Sequence, residues 1–257
     1  MSLFDTHCHL DVEAFDPDRR EVLARARLAG VQDLLIPAIQ RDGWQKLWDL
    51  CREDPGLHPA IGLHPVMLEK HAEADLEALE IFVRSKRPVA IGEIGLDHAI
   101  RSLDQLRQLD LLEAQLAIAV RHQLPVVLHV RKAHEPVLKS LKAHAPIGGI
   151  CHAFNGSLQQ AQRYMDLGFG FGFGGMLTYP NARHLHELAK ELPLDHIVLE
   201  TDAPDMSGIE HRQQRNSPEY LPEVVSILAS LRGTSPQSIV EATTRNALRL
   251  LRIPPQA

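Results

Sequence analysis

Eight short apolar runs, rich in β-branched residues, recur from one end of the chain to the other, and longer segments with helical periodicity lie between them. The runs are SLFDTH (2–7), VQDLLIPAI (31–39), HPAIGLH (58–64), VAIGEIGL (89–96), PVVLHV (125–130), GGICHAF (148–154), FGFGFG (169–174) and HIVLET (196–201). Each has the length of a strand buried on both faces. Strands that alternate with helices pair in parallel, because each helix returns the chain to the same edge of the sheet. Eight such units in 257 residues match the arithmetic of a (β/α)8 TIM barrel, with an open doubly wound sheet of eight strands as the competing arrangement. Helices are expected at Asp16 to Ala29, Leu76 to Arg84, Leu103 to Gln123 and Leu158 to Leu167, with Gly30 and Gly168 as C-terminal stops. Two further helical patterns after about Ser217 are expected to pack on the outside of the barrel. No linker, low-complexity stretch or internal repeat marks a boundary, so residues 1–257 read as a single domain.

Composition excludes several classes. With 44% hydrophobic and 23% charged residues the chain is neither disordered, collagen-like nor a disulfide scaffold. A net charge of −6 excludes the basic surface of a nucleic-acid-binding module, so a polyanionic partner has to be held locally. Cys8, Cys51 and Cys151 form neither a CxxC pair nor a disulfide framework, which points to a reducing compartment. The opening MSLFDTHCHL carries Asp5 and two histidines where a signal peptide needs an apolar run, and no stretch approaches the roughly 18 apolar residues of a membrane span. A soluble, cytoplasmic protein is expected, with no membrane partner and no obligate protein partner evident. What departs from average is histidine, at 15 residues.

In a barrel enzyme the reacting groups gather at the C-terminal ends of the strands. Here the first run ends in His7-Cys8-His9, the fourth carries Glu93, the fifth ends near His129, the sixth reaches His152, and Asp202 follows the eighth. Alternate residues of an extended chain project to one face, so His7 and His9 can bind one ion while Cys8 points away. A lone histidine after a strand is more often a packed core residue, but that reading would have to hold separately at several strand ends. A carboxylate within an apolar strand must be paired, protonated or metal-bound, which applies to Glu93 and Asp202. A metal centre accounts for all six residues. Six ligands exceed the need of one zinc and call for two divalent ions, with one carboxylate bridging them. Four neutral imidazoles and two carboxylates leave such a pair of ions electropositive, which suits an anionic substrate such as a phosphodiester, although hydrolases of neutral amides use similar ligands. The identity of the ions, whether zinc, magnesium or manganese, is not fixed by the donor types.

The phrases FDTHCHLD (4–11), GLHP (62–65), GEIGLD (92–97), LHVRKAH (128–134), HAFNGS (152–157), LETDAPD (199–205), NSPEYL (216–221) and TTRNALRLL (243–251) resemble, in order and spacing, those of TatD-family metal-dependent hydrolases. SLQQAQRYMDLG and GGMLTYPNA further resemble the YjjV-like branch of that family. The resemblance runs from Phe4 to Leu251. It implies a barrel of the amidohydrolase type with two divalent ions, and single-stranded DNA degraded from the 3' end as the substrate. Carried onto this chain, His7, His9, Glu93 and Asp202 would hold one ion and Glu93, His129 and His152 the other, with Glu93 as the bridge. Asp202 would orient the attacking water or take its proton, and His64 would steady the phosphate or assist the leaving oxygen. Arg131 and Lys132, next to a ligand, are the nearest candidates for gripping phosphates, with a solvated charge pair as the alternative. His98 stands where the family often has an aromatic residue, and Ala203 to Arg215 is locally variable, so the substrate-side wall is expected to differ. Glu93 with no nearby lysine disfavours relatives that bridge their metals with a carboxylated lysine. Two other readings remain in view: a hydrolase of small esters, lactones or amides on the same two-metal site, and a non-catalytic metal-binding or interaction protein that keeps the barrel.

Overall fold

The computed structural model describes residues 2–254 and arranges eight strands in one sheet, in chain order. They are β1 (Leu3–Asp5), β2 (Val31–Pro37), β3 (Leu57–Ile61), β4 (Ala90–Asp97), β5 (Val126–Arg131), β6 (Gly149–Cys151), β7 (Phe169–Phe173) and β8 (Ile197–Leu199). Every neighbouring pair is parallel. Between the strands run α1 (Arg19–Leu28), α2 (Trp44–Glu53), α3 (Ala74–Lys86), α4 (Gln105–His122), α5 (His134–His144), α6 (Leu158–Asp166) and α7 (Arg183–Glu191). Two more helices, α8 (Leu221–Arg232) and α9 (Pro236–Leu250), follow β8.

The helix ends follow local chemistry. Asp104 caps α4 by accepting the amide hydrogens of Leu106 and Arg107, and Ser157 with Gln160 forms a reciprocal capping box on α6. Gly30 and Gly168 end their helices at φ of 92° and 84°, a region that costs other residues a steric clash.

Strands β1 and β8 form no ladder, yet the barrel closes just beyond them. The Thr6 amide donates to the Leu199 carbonyl (2.9 Å), Asp202 to His7 (2.8 Å) and His9 to Ala203 (2.8 Å), and Cys8 bridges Ala203 in parallel. The buried Asp5 carboxylate reinforces this seam, accepting from the Thr201 amide (2.9 Å) and hydroxyl (2.6 Å) and from the His7 amide (3.2 Å). Sequential strand order with meeting ends is a (β/α)8 barrel, and the open sheet is set aside. Several strands stop earlier than the apolar runs predict. β1 ends before His7 and β6 before His152, because the chain turns there to satisfy its backbone across the seam or, at Ala153 (φ 44°), in a left-handed turn.

Phe4, Leu35, Ala60, Ala90, Val127, Ile150 and Val198 form an apolar layer with Ala247, Leu250 and Leu251 of α9 and the residue after it. This placement departs from the expectation for the tail only at the last turns of α9; Ile239, nearer its start, clusters with the residues of α8. The end of α9 enters the layer because Gly170 leaves the space that Leu250 fills, while the Asn246 amide group donates to the carbonyls of Leu194 (2.7 Å) and Ile197 (2.8 Å). Cys8, Cys51 and Cys151 are all buried and unpaired. Among the described residues no helix is long and apolar enough to cross a membrane.

Candidate metal centre

Glu93 within β4, His129 within β5 and the residues just past β1, β6 and β8 converge as the apolar runs imply. His7 Nε2 lies 3.0 Å from Glu93 Oε2, 3.3 Å from His9 Nε2 and 3.7 Å from Asp202 Oδ1. His9 Nε2 is 3.6 Å from both of those carboxylate oxygens. Ligand bonds of about 2.1 Å would place tetrahedral ligands about 3.4 Å apart, a spacing that these separations bracket. Four electron-pair donors in a buried space hold fewer protons than acceptor sites, and a cation relieves that crowding. The other oxygen, Glu93 Oε1, lies 3.0 Å from His129 Nδ1 and 3.2 Å from His64 Nε2. His152 stacks on His7 at 3.7 Å between ring centroids, and its Nε2 is 3.7 Å from Asp202 Oδ2. All six expected ligands therefore share one cluster, and His64 joins it. The donor set fits divalent ions.

Hydrogen bonds fix which ring nitrogens are free. His9 Nδ1–H donates to the Pro37 carbonyl (3.1 Å), which leaves Nε2 as a lone pair facing the cluster. His64 has the opposite tautomer. Its Nδ1 accepts the Val66 amide hydrogen (3.0 Å), so in the neutral ring Nε2 carries the proton and donates to Glu93. This arrangement makes His64 a hydrogen-bond donor in the site, although its position beside Glu93 and His129 also resembles a ligand position.

Burial drives the electrostatics. It pushes His7 well below the usual imidazole range, with the neighbouring His152 adding to the effect, and lowers His9 to about 4 and His64 as well. Burial also opposes ionisation of Glu93, but the histidines around it, His64 and His7 foremost, outweigh that and hold the carboxyl well below its usual range. At Asp202 burial wins over the attraction of His152 and raises the carboxyl to about 7. His129 and His152 go the other way. Burial disfavours their charged forms, yet Asp97 and Glu93 raise the first to about 9, and Glu200 and Asp202 raise the second to about 10.

Two carboxylates outside the expected set brace the ligands. Asp97 Oδ2 lies 3.1 Å from His129 Nε2, and Gln108 holds the Asp97 backbone through its own amide group (2.7 and 3.1 Å). Glu200 Oε1 is 3.0 Å from His152 Nδ1 and accepts the Ala153 amide hydrogen (2.6 Å). A hydrogen-bonded carboxylate such as Asp97 orients an imidazole and raises its basicity as a ligand, whereas Glu200 acts on His152 by charge, without an aligned hydrogen bond. A signal for Glu200 was present, since it too is a carboxylate in an apolar run. The glycines of FGFGFG were the second signal, because a Cβ at Gly172 would overlap the Glu200 carboxylate. Of the phosphate-gripping candidates, Arg131 lines the cavity above the cluster, whereas Lys132, at φ 55°, is absent from its walls. That cavity holds about 640 Å³ and is also bordered by Val66, Met67, Asn155 and Met206.

A closed barrel whose C-terminal mouth gathers imidazoles around a shared carboxylate has the makeup of a metal-dependent hydrolase. The comparisons agree. A family model described as TatD related DNase matches residues 4–252. The uncharacterized metal-dependent hydrolase YjjV of Escherichia coli is 40% identical over 253 residues, covering 97% of this chain and 98% of the relative. A Klebsiella pneumoniae protein named 3'-5' ssDNA/RNA exonuclease TatD is 33% identical over 258 residues, covering 98% of each. The crystal structure of Escherichia coli YjjV superposes with a TM-score of 0.94 over 98% of both chains, at 40% identity. An uncharacterized amidohydrolase from Saccharomyces cerevisiae shares the fold, with a TM-score of 0.85 at 18% identity over 97% of this chain and 99% of the other. The chain belongs to the TatD family of metal-dependent hydrolases.

Proposed function

We propose that this protein is a two-metal phosphodiesterase, specifically a deoxyribonuclease that shortens single-stranded DNA from its 3' end in the cytoplasm. The observation that carries the reading is the division of Glu93: one oxygen faces His7 and His9, the other faces His129 and His64. A carboxylate so placed can bridge two ions, one held by His7, His9 and Asp202 and the other by His129 and His152. Bound there, divalent ions would polarise a phosphoryl group and lower the pKa of a water. The name of the Klebsiella pneumoniae relative supports a nucleic acid as substrate.

The protein's own groups have separable tasks. Asp202, between His7 and His152 at the edge of the cluster, is placed to orient the attacking water or take its proton. His64 stays neutral through burial and its one N–H, at Nε2, donates to Glu93; released from that bond when Glu93 takes up metal, it would steady a phosphoryl oxygen as a donor and not act as a strong acid. Asp97 keeps His129 oriented, and Glu200 acts on His152 by charge. Arg131, at the cavity wall, supplies positive charge to a chain whose net charge is −6. A hydrolase of small esters remains the second reading, favoured by the apolar side of the cavity at Val66, Met67 and Met206.

The test is digestion of a 5'-end-labelled single-stranded oligonucleotide by protein stripped of metal and reloaded with magnesium, manganese or zinc, beside Asp202→Asn protein. A metal-dependent ladder shortening from the 3' end, absent with the variant, supports the proposal. An intact oligonucleotide, with rapid cleavage of a nitrophenyl ester or a lactone by the same preparation, sinks it.

A further inference from the structure

Outside the ligand cluster, one polar chain runs from the barrel's flank to the cavity. Tyr164 on α6 is buried, and its hydroxyl lies 3.2 Å from Nδ1 of His134, the first residue of α5. Nε2 of the same ring lies 3.2 Å from Oδ1 of Asn155, which borders the cavity above Glu93, His129 and His152. The Tyr164 hydroxyl has no other acceptor among the described residues, so its hydrogen goes to His134 Nδ1. Burial lowers the pKa of His134 and keeps the ring neutral at pH 7, so the proton sits on Nε2 and donates to Asn155 Oδ1. An amide whose oxygen is held in this way has its nitrogen fixed as well. Asn155 Nδ2, with two hydrogens to donate, has no protein partner among the described residues.

The backbone of the same loop is anchored separately. His184 on α7 donates through Nε2–H to the carbonyls of Gly156 (3.0 Å) and Asn155 (3.2 Å), and the Ser157 capping box follows directly. The exposed Asn155, between the buried Phe154 and Gly156, is thus fixed at both its backbone and its amide oxygen, with the donor end left for something else.

We infer that Asn155 is a substrate-contacting residue that donates from Nδ2 to a non-bridging oxygen of the phosphodiester, and that His134 and Tyr164 are positioning residues that set its orientation. This rests on the phosphodiester reading above. Arg131 offers charge on the same cavity wall, whereas Asn155 offers a neutral donor of fixed direction, which selects for where an oxygen lies more than for how much charge it carries.

Replacement of Asn155 by two residues separates contact from support. Asn155→Ala removes the donor, and a lost bond to a charged acceptor predicts a fall in kcat/KM of about tenfold or more on a single-stranded oligonucleotide. Asn155→Asp keeps the oxygens that His134 bonds, but sets an anion against an anionic substrate, so activity falls further than with alanine. Recovery to wild-type activity in Asn155→Asp would overturn the inference and leave Asn155 a structural prop. His134→Phe should lower kcat/KM about fivefold, mainly through KM, and His134→Gln, which retains an N–H, should restore part of the loss. A KM unchanged in His134→Phe would refute the positioning role.

A turnover-free measurement accompanies the kinetics. The side-chain amide resonance of Asn155, identified by its loss in Asn155→Ala, should shift when metal-loaded protein is titrated with dimethyl phosphate. Binding of dimethyl phosphate without that shift overturns the inference while the phosphodiesterase reading stands. Neither binding nor oligonucleotide cleavage removes both together.

Discussion

The two ends of one barrel are built on opposite terms. At the N-terminal end the inward positions of seven strands are apolar and the last turns of α9 close the opening. At the C-terminal end the same strands lead to the buried His7, His9, Glu93 and His152 and the half-buried Asp202, packed within a few ångströms of one another. The first arrangement lowers the free energy of the fold by removing hydrocarbon from water, roughly 1.5 to 3 kcal/mol for each large side chain. The second raises it by stripping water from ionisable groups, as the upward shift of Asp202 records. Stability and chemistry have been assigned to different ends of the same strands, so substitutions at the two ends should separate cleanly.

The largest expected effect is at the mouth. Asp202→Asn should lower turnover on the order of 10⁴-fold, as removal of one member of a catalytic unit does. The sign for stability is opposite. A carboxyl whose folded pKa is raised from 3.8 to about 7 costs nothing below the unfolded value and carries its full penalty above the folded one. Metal-free Asp202→Asn protein should therefore match or exceed the parent in urea stability at pH 8, and a marked loss there would break the contrast. Next comes the closed end, where Leu250→Ala should cost about 2 to 5 kcal/mol in urea unfolding with turnover per folded molecule unchanged. A large drop in turnover would show that the two ends are coupled. Glu200→Gln falls between the regions in kind, since it touches a ligand and no substrate. Calorimetric titration should find metal affinity reduced about 10- to 100-fold. The smallest effect belongs to the cap of α9, where Ser235 accepts the Ser238 amide hydrogen (3.1 Å). Ser235→Ala should cost about 1 kcal/mol in the same urea assay and leave initial rates untouched.

The apolar end and the polar end were not equally legible. Parallel strands buried on both faces announce themselves as apolar runs, so all eight were found to within a few residues, and Glu93 stood out because a carboxylate is costly in such a run. The ligands beyond the strands followed from the same logic. Glu200 escaped although the logic applied to it, because its partners are His152 and the space left by Gly172, and neither is near it in sequence. The His134–Asn155 pairing spans 21 residues between the first turn of α5 and a loop and has no periodic signature. Periodicity announced α9 as a helix but could not say which surface it would cover, and only the small Gly170 hints that something large enters there.

The seam between β1 and β8 also bears on how the protein is made. Asp5 is synthesised 196 residues before Thr201, which locks onto it, and His7 and His9 likewise precede Asp202 and Ala203. Until then His7 and His9 have only one of the two carboxylates that face them, Glu93, and lack Asp202. A chain that stopped before Thr201 would lack that carboxylate and the closure it accompanies, so the six candidate ligands come together only after β8 has been made.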